Sequence, residues 1–304
     1  MTSPFEPGWR ERTARARNAD PAPPLADRLE APAQAPLAIS PAGDPTARHF
    51  FLTSRSLGRA VRWLTFEDLV EAALAPDAFV DAAARASGLY LREDWRGGLA
   101  WTHASALVRA MSEGHANVIR PETASTNWCK PWHVAAIGAA GAPGLPPPPS
   151  EVLLGLPASA GTILKNCSAL PTYVIPQEEA PHGGLEGPVV AQTRLQGPEL
   201  RVHWLDGQAF GVRIAPAGAD YRRDGSAPFR PAPVAGNLVR DLARVAAREG
   251  LRFCGADVIE TAEGPVLIEV NPMPGYHAFE KAYAPDTPIT DALYASLSGK
   301  GGPA

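Results

Sequence analysis

LRFCGADVIE (251–260), TAEGP (261–265) and VLIEVNPMPG (266–275) read together as one β-hairpin. Two runs rich in β-branched and aliphatic residues flank a short polar turn. The preceding NLVRDLARVAAREG (237–250) is an amphipathic helix that Gly250 ends. Centring the turn on Glu263 sets Asp257 directly opposite Glu269. Side chains so opposed have Cβ atoms about 4.5–5.5 Å apart, where like charges destabilise. Asn271 lies two residues beyond Glu269 and projects from the same face. Val258, Ile259, Val266, Leu267, Ile268 and Val270 surround the acids with apolar side chains. Two carboxylates and an amide oxygen converging there need a positive charge, and an oxygen-only set suits Mg²⁺ shared with phosphate oxygens. The alternative is a pair of surface acids whose register differs by one, which would send residues 257 and 269 to opposite faces. Pattern alone leaves both readings open.

Upstream, ELRVHWL (199–205), Asp206-Gly207 and QAFGVRI (208–214) form a second hairpin. Asp-Gly suits a type I′ turn, which needs positive φ at both central positions. That register puts Arg201, His203 and Leu205 on one face, with Phe210 and Val212 opposite. An arginine among Phe, Val and Leu requires an anion or carboxylate, unless it lies at an edge in water.

Further out, VLLGL, GTILKNCS, PTYVIP and PVVAQTRL are short and strand-like. Pro131 marks a helix start before WHVAAIGAAG, and the stiff Pro146–Pro149 run joins that helix to the next strand. Between residues 46 and 120, strands (FFLTS, SGLYLRED, ANVIRPE) alternate with helices (TFEDLVEAALA, PDAFVDAAARAS, HASALVRAMSEG), predicting a small α/β lobe. Residues 1–45 are poor in β-branched and large aromatic residues and read as a disordered or extended tail. Its arginines at 10, 12, 15 and 17 read as a short solvated stretch or an arm for an acidic partner.

Composition narrows the classes. The 304 residues fit two compact units or one enzyme of several lobes. With 28 basic against 32 acidic residues, net charge −4, the chain is not built to coat nucleic acid. No apolar run reaches the roughly 18 residues of a membrane helix, and the N-terminus lacks a secretory h-region. Cys129, Cys167 and Cys254 are too far apart for a disulfide framework or metal knuckle and fit a reducing, cytoplasmic setting. Only four of the basic residues are lysines, at 130, 165, 281 and 300, which gives weight to each one in a structured segment.

Asp257, then Glu269-Val270-Asn271 and Pro274-Gly275, resemble the metal-binding signature of ATP-grasp enzymes, and among them the RimK-like carboxylate–amine ligases. The resemblance spans residues 105–295 in order, and ADYRRD (219–224) is similar to an element of the ATP-grasp macrocyclases of ribosomal peptides. It implies an α+β ATP-grasp fold with a small N-terminal α/β lobe (46–120), a central lobe (121–190) and a C-terminal lobe (191–304) carrying the metal site. It further implies that Asp257, Glu269 and Asn271 hold Mg²⁺ or Mn²⁺, and that Lys165 holds the α/β-phosphates of ATP. Backbone from Gln192 through Thr193 and Arg194 to Leu195 would meet adenine, and Glu199 the ribose. Arg201 would face the transferring phosphoryl group, Asp220 and Arg222 would lie near nucleotide or substrate, and Lys130 would reach phosphate or lie exposed beside its helix start.

The chain departs from that pattern in three places. NCSALPTYVIP (166–176) has no glycine for a phosphate lid, Thr193 stands where many relatives have Glu, and the N-terminal lobe matches no quoted motif. The implied activity is ATP-dependent ligation of a carboxylate to an amine or hydroxyl on a peptide or small molecule; RimK-like relatives often assemble as homo-oligomers, and the sequence itself is silent on oligomeric state. A kinase and a non-catalytic nucleotide-binding protein are the competing readings. Cys167 is the best-placed thiol for a nucleophile, although free cysteines are more often small buried hydrophobes. His133, His203 and His277 show no ligand spacing, while Trp128 and Trp132 flank Lys130 and pack on its helix or stack on a ligand.

Overall fold

The computed structural model describes residues 22–71, 73–93, 99–121, 129–154, 161–167, 174–176, 188–214 and 229–299. The chain forms two compact units. The first takes residues 1–122, 275–280 and 285–304, and the second 123–274 and 281–284. The tail of the C-terminal lobe as read from sequence therefore belongs to the first unit.

The first unit is built on a parallel sheet, β2(Arg62–Thr65)-β1(Leu37–Ser40)-β3(Leu89–Leu91)-β4(Val118–Ile119). Every residue of β1 is buried, so the stretch expected as tail supplies a central strand. Helix α1 (Leu25–Leu29) precedes it, and Arg28 forks onto Asp68 at 2.7 and 2.8 Å. Averaged over 45 residues, the Pro/Ala composition hides four residues, LAIS, that are apolar enough to be enclosed from both faces. FFLTS, expected as strand, is helical. Helix α2 (Pro45–Ser56) starts at Pro45, and Asp44 accepts from the Thr46 and Ala47 N–H groups. Phe50 and Phe51 are adjacent because they flank the buried stripe of a helix, not because a strand needs them. Short helices α3 (Phe66–Val70) and α4 (Pro76–Ala84) and the longer α5 (Leu99–Glu113) complete this α/β unit. The later segments, α8 (Tyr276–Glu280) and α9 (Pro288–Leu297), pack in the same unit, where Glu280 accepts from both Thr290 N and Oγ1.

The second unit holds two antiparallel sheets. One has the order β5(Ser150–Leu153)-β8(Val189–Thr193)-β6(Thr162–Asn166)-β7(Val174–Pro176). The expected lobe boundary at 190/191 cuts β8 and is corrected: the sheet runs through Thr193. The other has the order β11(Phe229–Ala232)-β10(Gln208–Ile214)-β9(Glu199–Leu205)-β12(Phe253–Thr261)-β13(Gly264–Asn271). Helix α6 (Lys130–Ala139) precedes β5, and helix α7 (Gly236–Arg248) covers one face of the five-stranded sheet.

Strand alternation decides what each face of that sheet carries. Leu200, Val202 and Trp204 of β9 join Ala256, Val258, Leu267 and Val270 in a core closed by Leu238, Leu242 and Val245 of α7. Each such Leu or Val contributes about 1.5–3 kcal/mol on burial. The opposite face therefore receives Glu199, Arg201, His203 and Asp257. Asp206 (φ 45°) and Gly207 (φ 92°) make the expected tight turn between β9 and β10.

The β12–β13 turn is one half-step from the expected centre. Thr261 pairs with Gly264 and Val258 with Leu267, a register that would carry Asp257 to Ile268. A β-bulge intervenes: Ile268 is the extra residue, and Asp257 pairs with Glu269 after all. The same break lets Leu267 and Val270, three apart, both enter the core.

Candidate active site

Across four strands the residues align in rows. Val212, Arg201, Asp257 and Glu269 form one row, and Phe210, His203, Gly255 and Asn271 the next. Arg201 Nη1 makes an ion pair with Asp257 Oδ1, with side chains only 4% and 8% exposed. Lys130 Nζ lies 3.4 Å from Glu269 Oε2. The opposed carboxylates are thus balanced by two cations from other elements, which is what lets them stand in an apolar sheet.

Gly255 makes room for this. A Cβ there would stand 2.8 Å from both Arg201 Cζ and Pro274 Cβ. Asn271 Oδ1 accepts from Met273 N at 2.8 Å, which turns the strand end into the following loop. His203 is fully enclosed, and burial together with the Arg201 charge holds its pKa well below the ordinary value.

Lys130, His133, Val134, Lys165, Val190, Gln192, Ile268 and Glu269 line one cleft of about 280 Å³, counting the space open to solvent. Lys165 pairs with Val190 across β6 and β8, so the two side chains share a face. Gln192 Nε2 donates to Ser150 Oγ at 3.0 Å, leaving its buried Oε1 without a partner among the described residues. At the end of β8, Thr193 N donates to Pro149 O and Arg194 N to Gly161 O. Two of the N–H groups expected to face a base are therefore engaged within the sheet and its loops. Glu199 opens β9 on the Arg201 face, opposite Ile214 and Ile259.

Among the expected site residues, Lys130, Lys165, Gln192 and Glu269 meet in this cleft, and Arg201 and Asp257 stand in the row beside it. Asp220, Arg222 and Trp128 lie outside the described residues. Trp132 is 65% exposed. His277 belongs to the first unit, where its Nδ1 lies 2.9 Å from Thr46 Oγ1. Burial, and secondarily the neighbouring Cys129, raises the Cys167 pKa, which opposes a role as thiolate nucleophile.

Sequence spacing missed His133. Its Nε2 accepts the Val270 N–H at 3.0 Å, and its Nδ1 faces Glu249 Oε2 at 3.5 Å. The one signal available was its place three residues after Lys130, on the same helical face.

The donor set of Asp257, Glu269 and Asn271 is too small for a closed protein cage. Among the described residues no cluster of three or more His, Cys, Asp or Glu stands ready for a metal. Two opposed carboxylates and an amide oxygen fit an ion that keeps part of its shell for phosphate oxygens. No helix among the described residues is long and apolar enough to cross a membrane.

No family profile matches the chain. Over 111 residues it is 35% identical to a probable alpha-L-glutamate ligase of Shewanella halifaxensis, a match covering 34% of this chain and 23% of that protein's length. Among solved structures, the ATP-grasp ligase PsnB complexed with a minimal precursor is similar at 21% identity, over 86% of this chain and 99% of its own, with TM-score 0.66. The macrocyclase MdnC of Microcystis aeruginosa, bound with its precursor peptide MdnA, aligns at 14% identity over 86% and 99%, with TM-score 0.63. A RimK-domain ATP-grasp protein of Sphaerobacter thermophilus aligns at 16% identity over 86% and 99%, with TM-score 0.57. The chain has the ATP-grasp fold.

Proposed function

We propose that this ATP-grasp chain is an ADP-forming ligase that activates a peptide or amino-acid carboxylate and joins it to an amine or hydroxyl. One observation carries the reading: Lys130, Lys165 and Gln192 converge with Glu269 on a single cleft, and Asp257 faces Glu269 in register. The peptide substrate is supported by structural neighbours complexed with precursor peptides, and ATP with Mg²⁺ by neighbours complexed with ADP, AMPPNP and Mg.

A carboxylate is a poor electrophile, so amide formation in water needs its oxygen converted to a leaving group. Attack on the γ-phosphate of ATP gives an acyl phosphate, which the amine or hydroxyl then resolves with release of phosphate. Phosphoryl transfer demands positioning and charge neutralisation more than covalent help. In this reading Lys165 and Lys130 bind phosphate oxygens, and the Gln192 Oε1 and what the 192–195 backbone leaves unengaged meet the base. Asp257, Glu269 and Asn271 would hold Mg²⁺, which when bound neutralises charge on the β- and γ-oxygens. Arg201, which pairs with Asp257 in this row, would offset charge on the transferring group. Arg222 would hold the acceptor carboxylate and Asp220 would lie near the nucleotide, with Glu199 on the ribose.

The test is ADP release with Mg²⁺, screened across peptide carboxylates and amine or hydroxyl partners. ADP formation that requires both substrates, with a condensed product of matching mass, supports the ligase. A stable phosphorylated product formed without the second substrate would replace it with a kinase. Failure to bind ATP would leave only the fold.

A further inference from the structure

We infer that His133, steadied by Glu249, is a positioning residue that fixes the β13 backbone between Glu269 and Asn271 and so sets the spacing of the metal ligands. The inference rests on reading those two residues as ligands. β13 is the edge strand of its sheet, so its outward N–H groups have no ladder partner. The bulge at Ile268 immediately precedes Glu269, and the strand ends at Asn271. Residues 269–271 therefore pair with β12 on one side only, in a short stretch between the bulge and the strand end.

His133 supplies the missing hold. The Val270 N–H donates to its Nε2 at 3.0 Å. A nitrogen that accepts carries no proton, so the ring proton sits on Nδ1, which faces Glu249 Oε2 at 3.5 Å. Both side chains are 3% exposed. Helix α6 thus places two successive groups on two successive residues: Lys130 on the Glu269 carboxylate and His133 on the Val270 backbone. An outer imidazole–carboxylate pair of this kind orients ligands without touching the ion.

The experiment uses the whole chain with Mn²⁺ as the paramagnetic probe. Mn²⁺ affinity in the presence of ADP is read by electron paramagnetic resonance, and metal-free ADP binding by calorimetry. In His133→Gln the amide oxygen falls where Nε2 sits, whereas in His133→Asn it falls where Nδ1 sits. His133→Asn is expected to weaken Mn²⁺ binding about 10- to 100-fold, with metal-free ADP binding as in wild type. His133→Gln is expected to retain Mn²⁺ affinity close to wild type. Equal Mn²⁺ affinities in the two variants, or an equal loss of metal-free ADP binding, would overturn the inference. If His133→Asn does not fold, Glu249→Leu decides: weakened Mn²⁺ binding supports the role and unchanged binding overturns it. Wild-type protein that binds ADP but no Mn²⁺ overturns the metal reading and this inference together, whereas a bound ion indifferent to the variants sinks the inference alone.

Discussion

Asp257 and Glu269 pair across β12 and β13, and they do so only because Ile268 is an extra residue in β13. The two-residue turn by itself would have opposed Asp257 to Ile268 and pointed Glu269 the other way. The bulge re-aims one carboxylate onto the face that carries Arg201, beside the cleft that Lys165 and Gln192 line from the other sheet.

Glu269→Gln keeps the shape of the side chain and removes its charge. Glu269 is about a quarter exposed, and the Gln amide oxygen can still accept from Lys130 Nζ, so the lost charge costs on the order of 1 kcal/mol of stability. ADP formation is expected to fall below detection while the unfolding midpoint barely moves. Near wild-type turnover by this variant would remove Glu269 from the metal site.

Lys165→Ala should act on nucleotide affinity. A charge-assisted hydrogen bond is worth about 1.5–3 kcal/mol, or roughly 10- to 100-fold in dissociation constant. Calorimetric titration with ATP measures this directly, and an unchanged constant would count against a phosphate contact.

Gly255→Ala forces a Cβ against Arg201 and Pro274. Overpacking of this kind costs about 1–3 kcal/mol, and it displaces the guanidinium from Asp257. The variant is expected to lose stability and ADP formation together. Denaturant unfolding beside an ADP assay checks both, and a fully active, fully stable variant would refute the close approach.

His203 predicts a pH dependence of stability. Its folded pKa is lowered, by burial first and by Arg201 second. As pH falls below the unfolded value of about 6.5, the unfolded chain binds a proton that the folded chain refuses. Stability therefore declines from that pH downward until the folded site itself titrates. Urea unfolding between neutral and mildly acidic pH should show the decline, and His203→Leu should flatten it. Equal slopes in both proteins would contradict the assignment.

Thiol chemistry separates the cysteines. Burial pushes the Cys254 thiol up to about 12, whereas Cys129 and Cys167 are partly exposed. A chromogenic disulfide reagent is expected to find two thiols in native protein at mildly alkaline pH and three after denaturation. Three fast thiols in the native state would show that Cys254 is not enclosed.

How much of this was legible in the sequence varied with the range of the interaction. Local turn chemistry marked both hairpins, because Asp206-Gly207 and the 261–264 turn act within a few residues. The opposition of Asp257 and Glu269 was anticipated by a turn centre half a residue off, and the unforeseen bulge made up the difference. His133 escaped because its partners, Val270 and Glu249, lie more than a hundred residues away. The first unit was misread where short segments depend on distant partners. LAIS is a strand only once β2 and β3 flank it, and FFLTS is helical because Asp44 and Pro45 start a helix whose buried side takes both phenylalanines.

The cover over β13 has a consequence for the protein's life in a crowded solution. Pro146 O takes the Leu267 N–H and His133 takes that of Val270, while at the far margin β11 carries Pro231, which has no N–H to offer. Among the described residues, neither border of the larger sheet presents a ready row of donors to a stray strand. His133 thus serves two surroundings at once, lining the cleft and occupying a donor that would otherwise invite templated strand addition.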